Sequence, residues 1–344
     1  MYKGSIKFLT ALVAVGTLAA CGSGGSTSTS AEPEAASSSA AATSEASAVP
    51  AGEPLEIALI TNDQFDPFYM TINAGAQDEA AAQGVNVTWN APDKTEVSAQ
   101  TAVVESVLAR KPDGIVMSAI DANAMVGVFQ KIKDAGIPVV VVDADINDPS
   151  LRLSAITSDN VRGGEMAAET MAELLGGSGQ VSYDGYVPGI KSVDDRLAGW
   201  QAGIARLGLE SVGETYSKGD LKEIAANAAA VMQKNHDLGG FFGSWTNPAI
   251  GLATAVQAAD KVGEVKVIGF DASPDEVALL KQGVISALIV QKAYDMGTLG
   301  VRDIVEYLRD GVTPEASQKL DMIVATTENV DDPEVQKYLY RTAG

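Results

Sequence analysis

The sequence predicts an α/β protein of two lobes, each built on a parallel β-sheet with helices covering both faces. Three observations carry that prediction. From Leu55 onward, short runs rich in β-branched residues alternate with amphipathic helical stretches. Several of these runs, such as Val139–Val142, are apolar throughout, the pattern of strands buried on both sides rather than on one. The chain beyond the N-terminal segments has about 290 residues, large for a single hydrophobic core. Alternating β and α units imply parallel pairing through right-handed crossovers.

The elements follow in two series. In the first, Leu55–Thr61 reads as a strand, Phe68–Gln83 as a helix and Val85–Trp89 as a strand. Val97–Arg110 is helical, Gly114–Met117 extended, Ala122–Ala135 helical, and Pro138–Val142 and Leu153–Thr157 extended. The second series opens with helix Gly163–Leu175 and strand Gln180–Tyr183, then helix Val193–Leu207 and strand Glu210–Tyr216. Helix Lys222–Asn235, strand Gly240–Gly243, helix Pro248–Lys261 and strand Val265–Gly269 come next. Helix Asp275–Gln282, strand Ser286–Val290, helix Met296–Arg309 and strand Leu320–Ala325 complete the series.

Ahead of this lies a segment of different character. Lys3 and Lys7 make a positive start, Phe8–Ala20 is an apolar stretch too short to span a bilayer, and Cys21 follows Leu18-Ala19-Ala20 and precedes Gly22. The arrangement resembles a bacterial lipoprotein signal, which implies a signal peptide over 1–20 and acylation of Cys21 with palmitate-type chains. Cys21 is the only cysteine, so it has no intramolecular disulfide partner. Gly22–Gly52 consists of Ser, Ala, Thr, Gly, Glu and Pro with a single larger aliphatic, Val49. Such a composition cannot bury enough surface to offset chain ordering, so 21–52 reads as a disordered tether spanning roughly 30 Å. The expected location is outside the cytoplasm, held by lipid at the bacterial membrane on its periplasmic or outer face.

Composition excludes several functions. The formal net charge of −21 repels nucleic acid and anionic headgroups. His236 is the only histidine, and it stands where a helix ends. One histidine and one cysteine leave no material for zinc sites, Ser-His-Asp triads or Cys-His pairs. The nucleophile-elbow, P-loop and dinucleotide fingerprints are missing, as is the acidic calcium-loop pattern. The expectation is a protein that is not an enzyme and carries no cofactor or metal.

Ligands of open α/β sheets bind beyond the carboxyl ends of the strands. Those ends supply Asn62 and Asp66-Pro67-Phe68-Tyr69, then Ser118, then Asp143-Ala144-Asp145. The second series supplies Tyr186, Asp194, Trp245, Phe270-Asp271 and Gln291. Carboxylates, amides and aromatics suit a polyhydroxylated ligand: charged acceptors take its hydroxyls, and ring faces cover its C–H surfaces. Asp66 before Pro67 also fits a helix N-cap, and Trp200, within a helix, fits the core better than a ligand stack.

Taken together, Asp66-Pro-Phe-Tyr, Lys111-Pro-Asp-Gly-Ile-Val, Ile137-Pro-Val-Val-Val-Val-Asp, Ser158-Asp-Asn-Val-Arg-Gly-Gly, Asp195-Arg-Leu-Ala-Gly-Trp, Val267-Ile-Gly-Phe-Asp-Ala-Ser-Pro-Asp and Gln291 resemble the ribose-type, type I periplasmic substrate-binding proteins, in order from about Leu55 to Ala325. The resemblance implies two Rossmann-like lobes joined by three hinge crossings, near Thr157–Asn160, Val290–Lys292 and Ser317–Leu320. One lobe is then 53–157 plus 292–317, the other 158–291 plus 318–344. It further implies a monomeric sugar-binding component of an ABC importer, partnered by a permease and its ATPase. Carried over position by position, it places ligand contacts at Asn62, Asp66, Phe68, Tyr69, Ser118, Asp143, Trp245, Phe270, Asp271 and Gln291.

The chain also departs from that pattern. Ala144 stands where ribose binders carry an arginine after the fourth-strand aspartate, Asp194 replaces a second pocket arginine, and Trp245 replaces an asparagine. Arg196 is retained, and its helical setting suggests a structural salt bridge. Loss of two cationic donors argues against ribose itself. A neutral pentose, hexose or polyol ranks first. The Asp143/Asp145 and Asp194/Asp195 pairs also resemble the branch that binds rhamnose-like sugars or autoinducer-2. An amino-bearing or autoinducer-2-like signal presented to a sensor or chemoreceptor is therefore the alternative.

Overall fold

A computed structural model describes residues 54–342. The signal, Cys21 and the whole of the expected tether lie outside the described residues. Local chemistry sets the first helix clearly. After β1 (Glu56–Ile60), Asp66 accepts from the Phe68 N–H, Pro67 occupies the first helical position, and α1 (Pro67–Gln83) ends on Gly84 at φ 63°. The chain continues through β2 (Asn86–Asn90), α2 (Val97–Arg110), β3 (Gly114–Met117), α3 (Val126–Asp134), β4 (Val139–Val142) and β5 (Ser154–Ser158). The expected helix from Ala122 begins only at Val126. Asp121 accepts from the N–H groups of Asn123 and Ala124 and holds that stretch in a turn.

The second series runs α4 (Asn160–Leu174), β6 (Gln180–Gly185), α5 (Lys191–Leu207), β7 (Glu210–Tyr216), α6 (Leu221–Lys234) and β8 (Leu238–Gly243). It continues through α7 (Thr246–Ala258), β9 (Lys266–Phe270), α8 (Pro274–Lys281), β10 (Ala287–Val290) and α9 (Ala293–Asp310). Two short strands, β11 (Gln318–Leu320) and β12 (Ile323–Ala325), precede α10 (Pro333–Gln336). His236 lies in an exposed turn after α6. No described helix is long and apolar enough to cross a membrane.

Two six-stranded sheets result, ordered β11-β5-β4-β3-β1-β2 and β12-β10-β9-β8-β6-β7. The orders correspond strand for strand, and every pairing is parallel except β10 with β12. The chain passes between sheets after β5, after β10, and between β11 and β12. The last passage differs from expectation. The stretch read as one strand, Leu320–Ala325, is split: Gln318–Leu320 pairs with β5 in the first sheet and Ile323–Ala325 with β10 in the second. The passage therefore runs through Asp321 and Met322, and β11 belongs to the first lobe rather than the second. The polar Asp321 interrupts the run where the chain changes sheets.

Burial follows the apolar runs: Val139, Val140, Val141 and Val142 are all buried, as are Ile57, Leu59 and Ile60 of β1. Trp200 lies in the core against Phe242. In each lobe, two helices approach closely at glycines on both. A Cβ on Gly297 of α9 would collide with the Ile72 carbonyl oxygen of α1, and one on Gly199 of α5 with the Val161 carbonyl of α4. Gly199→Ala and Gly297→Ala are each expected to destabilise by about 1–3 kcal/mol through overpacking. Thermal denaturation checks this, and an unshifted melting temperature would contradict the close approach.

Candidate ligand-binding site

The site grows from two strand ends. Asp143 follows β4 and Asp271 follows β9, the corresponding strands of the two sheets. Both take left-handed backbone, φ 64° and φ 95°, a conformation that costs about 1–3 kcal/mol for a residue with a side chain. The ladder holds each in place: Asp143 N–H donates to Ile156 O at 2.9 Å and Asp271 N–H to Ile289 O at 2.9 Å.

Around Asp143 the first lobe assembles a connected set. Tyr69 Oη and Ser118 Oγ donate to its Oδ2 at 3.0 and 3.1 Å. Asn62 Nδ2 donates to Tyr69 Oη at 2.9 Å. Behind them, Gln100 Nε2 donates to Asn62 Oδ1 at 2.9 Å and to Ser118 O at 2.8 Å, and its Oε1 accepts from Ile120 N at 3.0 Å. Gln100 is fully buried and was not anticipated. Its only signal is a polar residue on the same stripe of α2 as Val104 and Val107.

Around Asp271 the second lobe does likewise. Gln291 Nε2 and Tyr340 Oη both donate to Oδ1, at 2.6 and 2.7 Å, and Ser158 Oγ donates to Gln291 Oε1 at 2.7 Å. Arg196 is not in the salt bridge expected for it. Its Nε donates to Asn160 Oδ1 at 2.9 Å, its Nη1 to Ser244 O at 2.7 Å, and the guanidinium lies 3.6 Å from the Phe270 ring centroid. Phe270 is fully buried, a platform beneath Arg196. Trp245 meets Tyr186 edge to face at 5.4 Å, and its buried Nε1–H has no partner among the described residues.

The aspartates of the two lobes lie close enough for their charges to act on one another. Asp66 is exposed to solvent at its surface, yet protein atoms crowd around its carboxyl. Loss of surrounding water pushes its pKa up to about 6; the Phe68 N–H opposes this, and the charges of Asp271, Asp63 and Asp143 add to it. Asp143 is also raised by burial, against the pull of the Tyr69 and Ser118 hydrogen bonds and of Arg196, with Asp271 adding. Asp66 and Asp143 of one lobe thus sense Asp271 of the other.

Asp145 and Asp194 stand apart from this set. Arg152 grips both oxygens of Asp145, at 2.7 and 2.6 Å, fixing the turn between β4 and β5. Asp194 accepts from Gly189 N at 2.9 and 3.2 Å, closing the turn ahead of α5. Phe68 is buried against Tyr69 and Tyr340. Arg196, Tyr340, Ser158 and Gln100 join the site from outside the expected set.

A carboxyl whose pKa is raised on folding favours the native state while protonated. Its contribution is lost as pH rises from about 4 to about 6 and stays lost above. Asp66→Asn keeps a capping oxygen and removes the charge. It is expected to raise the melting temperature at about pH 7.5 and to lose that advantage at about pH 4. Thermal melts at the two pH values test this, and equal shifts at both would rule out the Asp66 charge as the cause.

Comparison with known proteins gives a consistent result. The family profile described as a periplasmic binding protein domain matches residues 57–311. A D-ribose/D-allose-binding protein of Pseudomonas aeruginosa is 29% identical over 78% of this chain and 87% of its own. A D-apiose import binding protein of Actinobacillus succinogenes is 28% identical over 79% and 88%. Among solved structures, an ABC transporter solute-binding protein of Agrobacterium vitis bound to α-D-tagatopyranose is 33% identical, with a TM-score of 0.76 over 83% of this chain and 99% of its own. Another from Agrobacterium vitis, with D-fucose bound, is 30% identical with a TM-score of 0.73 over 83% and 100%. With sequence and fold in agreement over most of its length, the chain belongs to the periplasmic binding protein domain family.

Proposed function

We propose that the protein is the extracytoplasmic solute-binding component of an ABC importer, capturing a monosaccharide or related polyol between its lobes. One observation carries this reading. Asp143 and Asp271 each direct one oxygen to protein donors, Oδ2 and Oδ1 respectively, and the opposite oxygen of each accepts no hydrogen bond from the described residues. Two carboxylates from opposite lobes thus offer oriented acceptors to adjacent hydroxyls, with Asp66 as a third. The Trp245 and Tyr186 rings supply apolar surface, and Trp245 Nε1–H a donor that lacks a protein partner.

Binding without turnover is supported by the relatives, which are named as binding proteins. Charges of one sign on both lobes favour an open cleft until a ligand with several hydroxyl donors bridges them. Closure then follows from contacts made only in the closed form. The moving bodies follow the sheets, with β11 in the first lobe and β12 in the second. Cys21, outside the described residues, would carry the lipid that keeps the protein beside its permease and raises its local concentration.

Isothermal titration against a panel of pentoses, hexoses and polyols is expected to yield at least one ligand; no binding by any member would overturn the reading. Asp271→Ala and Trp245→Ala should each weaken that ligand by about tenfold or more without unfolding the protein. Unchanged affinity would remove the residue from the site. Cys21→Ser should move the protein from the membrane to the soluble fraction and leave sugar affinity intact, as cell fractionation would show.

A further inference from the structure

The segment after β12 is anchored to both lobes. On the second, Tyr340 N–H donates to Ala272 O at 3.0 Å, Lys281 Nζ meets Asp331 Oδ1 at 2.6 Å, and Val330, Val335 and Tyr340 are buried. On the first, Arg341 N–H donates to Thr71 Oγ1 at 2.7 Å and the Tyr340 ring packs edge-on against Phe68, with centroids 5.5 Å apart. Lys337 Nζ and Tyr338 Oη both reach Asp295 on α9, each at 2.9 Å. The segment forms a fourth link between the lobes besides the three passages of the chain between the sheets. It also delivers a hydroxyl to the site, since Tyr340 Oη lies 2.7 Å from Asp271 Oδ1.

We propose that Tyr340 is a positioning residue for Asp271, and that the C-terminal segment is a strap that sets the orientation of the second-lobe carboxylate from outside that lobe's own sheet. This rests on the sugar-binding reading of the site.

Correspondence between the lobes supports it. Asp143 and Asp271 are equivalent strand-end aspartates at positive φ, and each has one oxygen shared by two donors, of which one is a tyrosine hydroxyl. In the first lobe that tyrosine is Tyr69 on α1, the helix following β1. In the second lobe the helix following β6 supplies none, and Tyr340 fills the role from the tail. An aspartate held by one donor can rotate about its Cβ–Cγ bond. Two donors on the same oxygen fix the plane and turn the other oxygen toward the ligand, and that orientation is set before binding rather than lost on binding. Burial and the nearby Asp271 charge push the Tyr340 phenol well above its usual range, so its hydroxyl stays a donor. The ring's contact with Phe68 and the Arg341–Thr71 bond place this donor at the junction of the lobes, where closure is felt.

Tyr340→Phe in the full chain tests the proposal, because it keeps the ring and its packing on Phe68 and removes only the donor. Affinity for the sugar identified by titration is expected to fall about tenfold. The melting temperature of the ligand-free protein should change little. In an Asp271→Ala background, Tyr340→Phe should have no further effect on affinity. The crystal structure of ligand-free Tyr340→Phe should show the Asp271 carboxylate rotated, with the tail still docked. Unchanged affinity, fully additive losses or an unmoved carboxylate would each overturn the proposal. A panel that yields no ligand would refute the sugar reading instead, and the carboxylate's orientation in the ligand-free variant would still decide whether Tyr340 positions it.

Discussion

Two aspartates held in left-handed backbone at the ends of β4 and β9 are the constraint around which the rest of the site is arranged. An isolated chain would not keep aspartate there. The parallel ladder does, because each backbone N–H is committed to the neighbouring strand, at Ile156 and at Ile289. With the backbone fixed, the side chains no longer follow strand alternation, and the surrounding donors settle where each carboxylate points. Strain at these two positions is balanced by buried sheets on either side, whose strands are apolar on both faces.

The lobes solve the same problem with different residues. Each has a six-stranded sheet of equivalent order, a serine after its third strand and a close helix pair meeting at glycines. The first lobe supports its aspartate from α1, α2 and β3, all near in space and early in the chain. The second draws on Gln291 at a passage between sheets and on Tyr340 from the tail. Its support therefore comes from segments that touch both lobes, whereas the first lobe's support is internal. This asymmetry makes the second aspartate the one more closely tied to lobe geometry.

Arg196 shows how burial changes the meaning of a charge. With an amide oxygen, a carbonyl and an aromatic face as neighbours, its positive charge is held without a carboxylate bound to it. The field reaches Asp143 instead of being neutralised on the spot. Asp145 is the reverse case: Arg152 takes both its oxygens, and it serves the turn rather than the cleft. The two aspartates of the Asp143-Ala144-Asp145 run thus have separate roles, decided by which partner each can reach.

Much of this organisation is legible in the linear chain. Apolar tetrads, helix caps such as Asp66-Pro67 and the alternation of units determine the elements, and strand ends supply candidates such as Asn62, Asp66, Ser118, Asp143, Asp271 and Gln291, because parallel sheets expose their carboxyl edges. The split of Leu320–Ala325 between two sheets was not legible, since periodicity reports strand character and not the partner. Nor were Gln100, Ser158 and Tyr340, whose hydrogen bonds to Ser118, Gln291 and Asp271 span 18 to 133 residues of separation. The sequence by itself determined the α/β class and which residue types stand at the strand ends. Only the tertiary structure decided which carboxylates share a crevice and which are taken by a neighbour, because hydrogen bonds of about 3 Å depend on where distant segments come to rest.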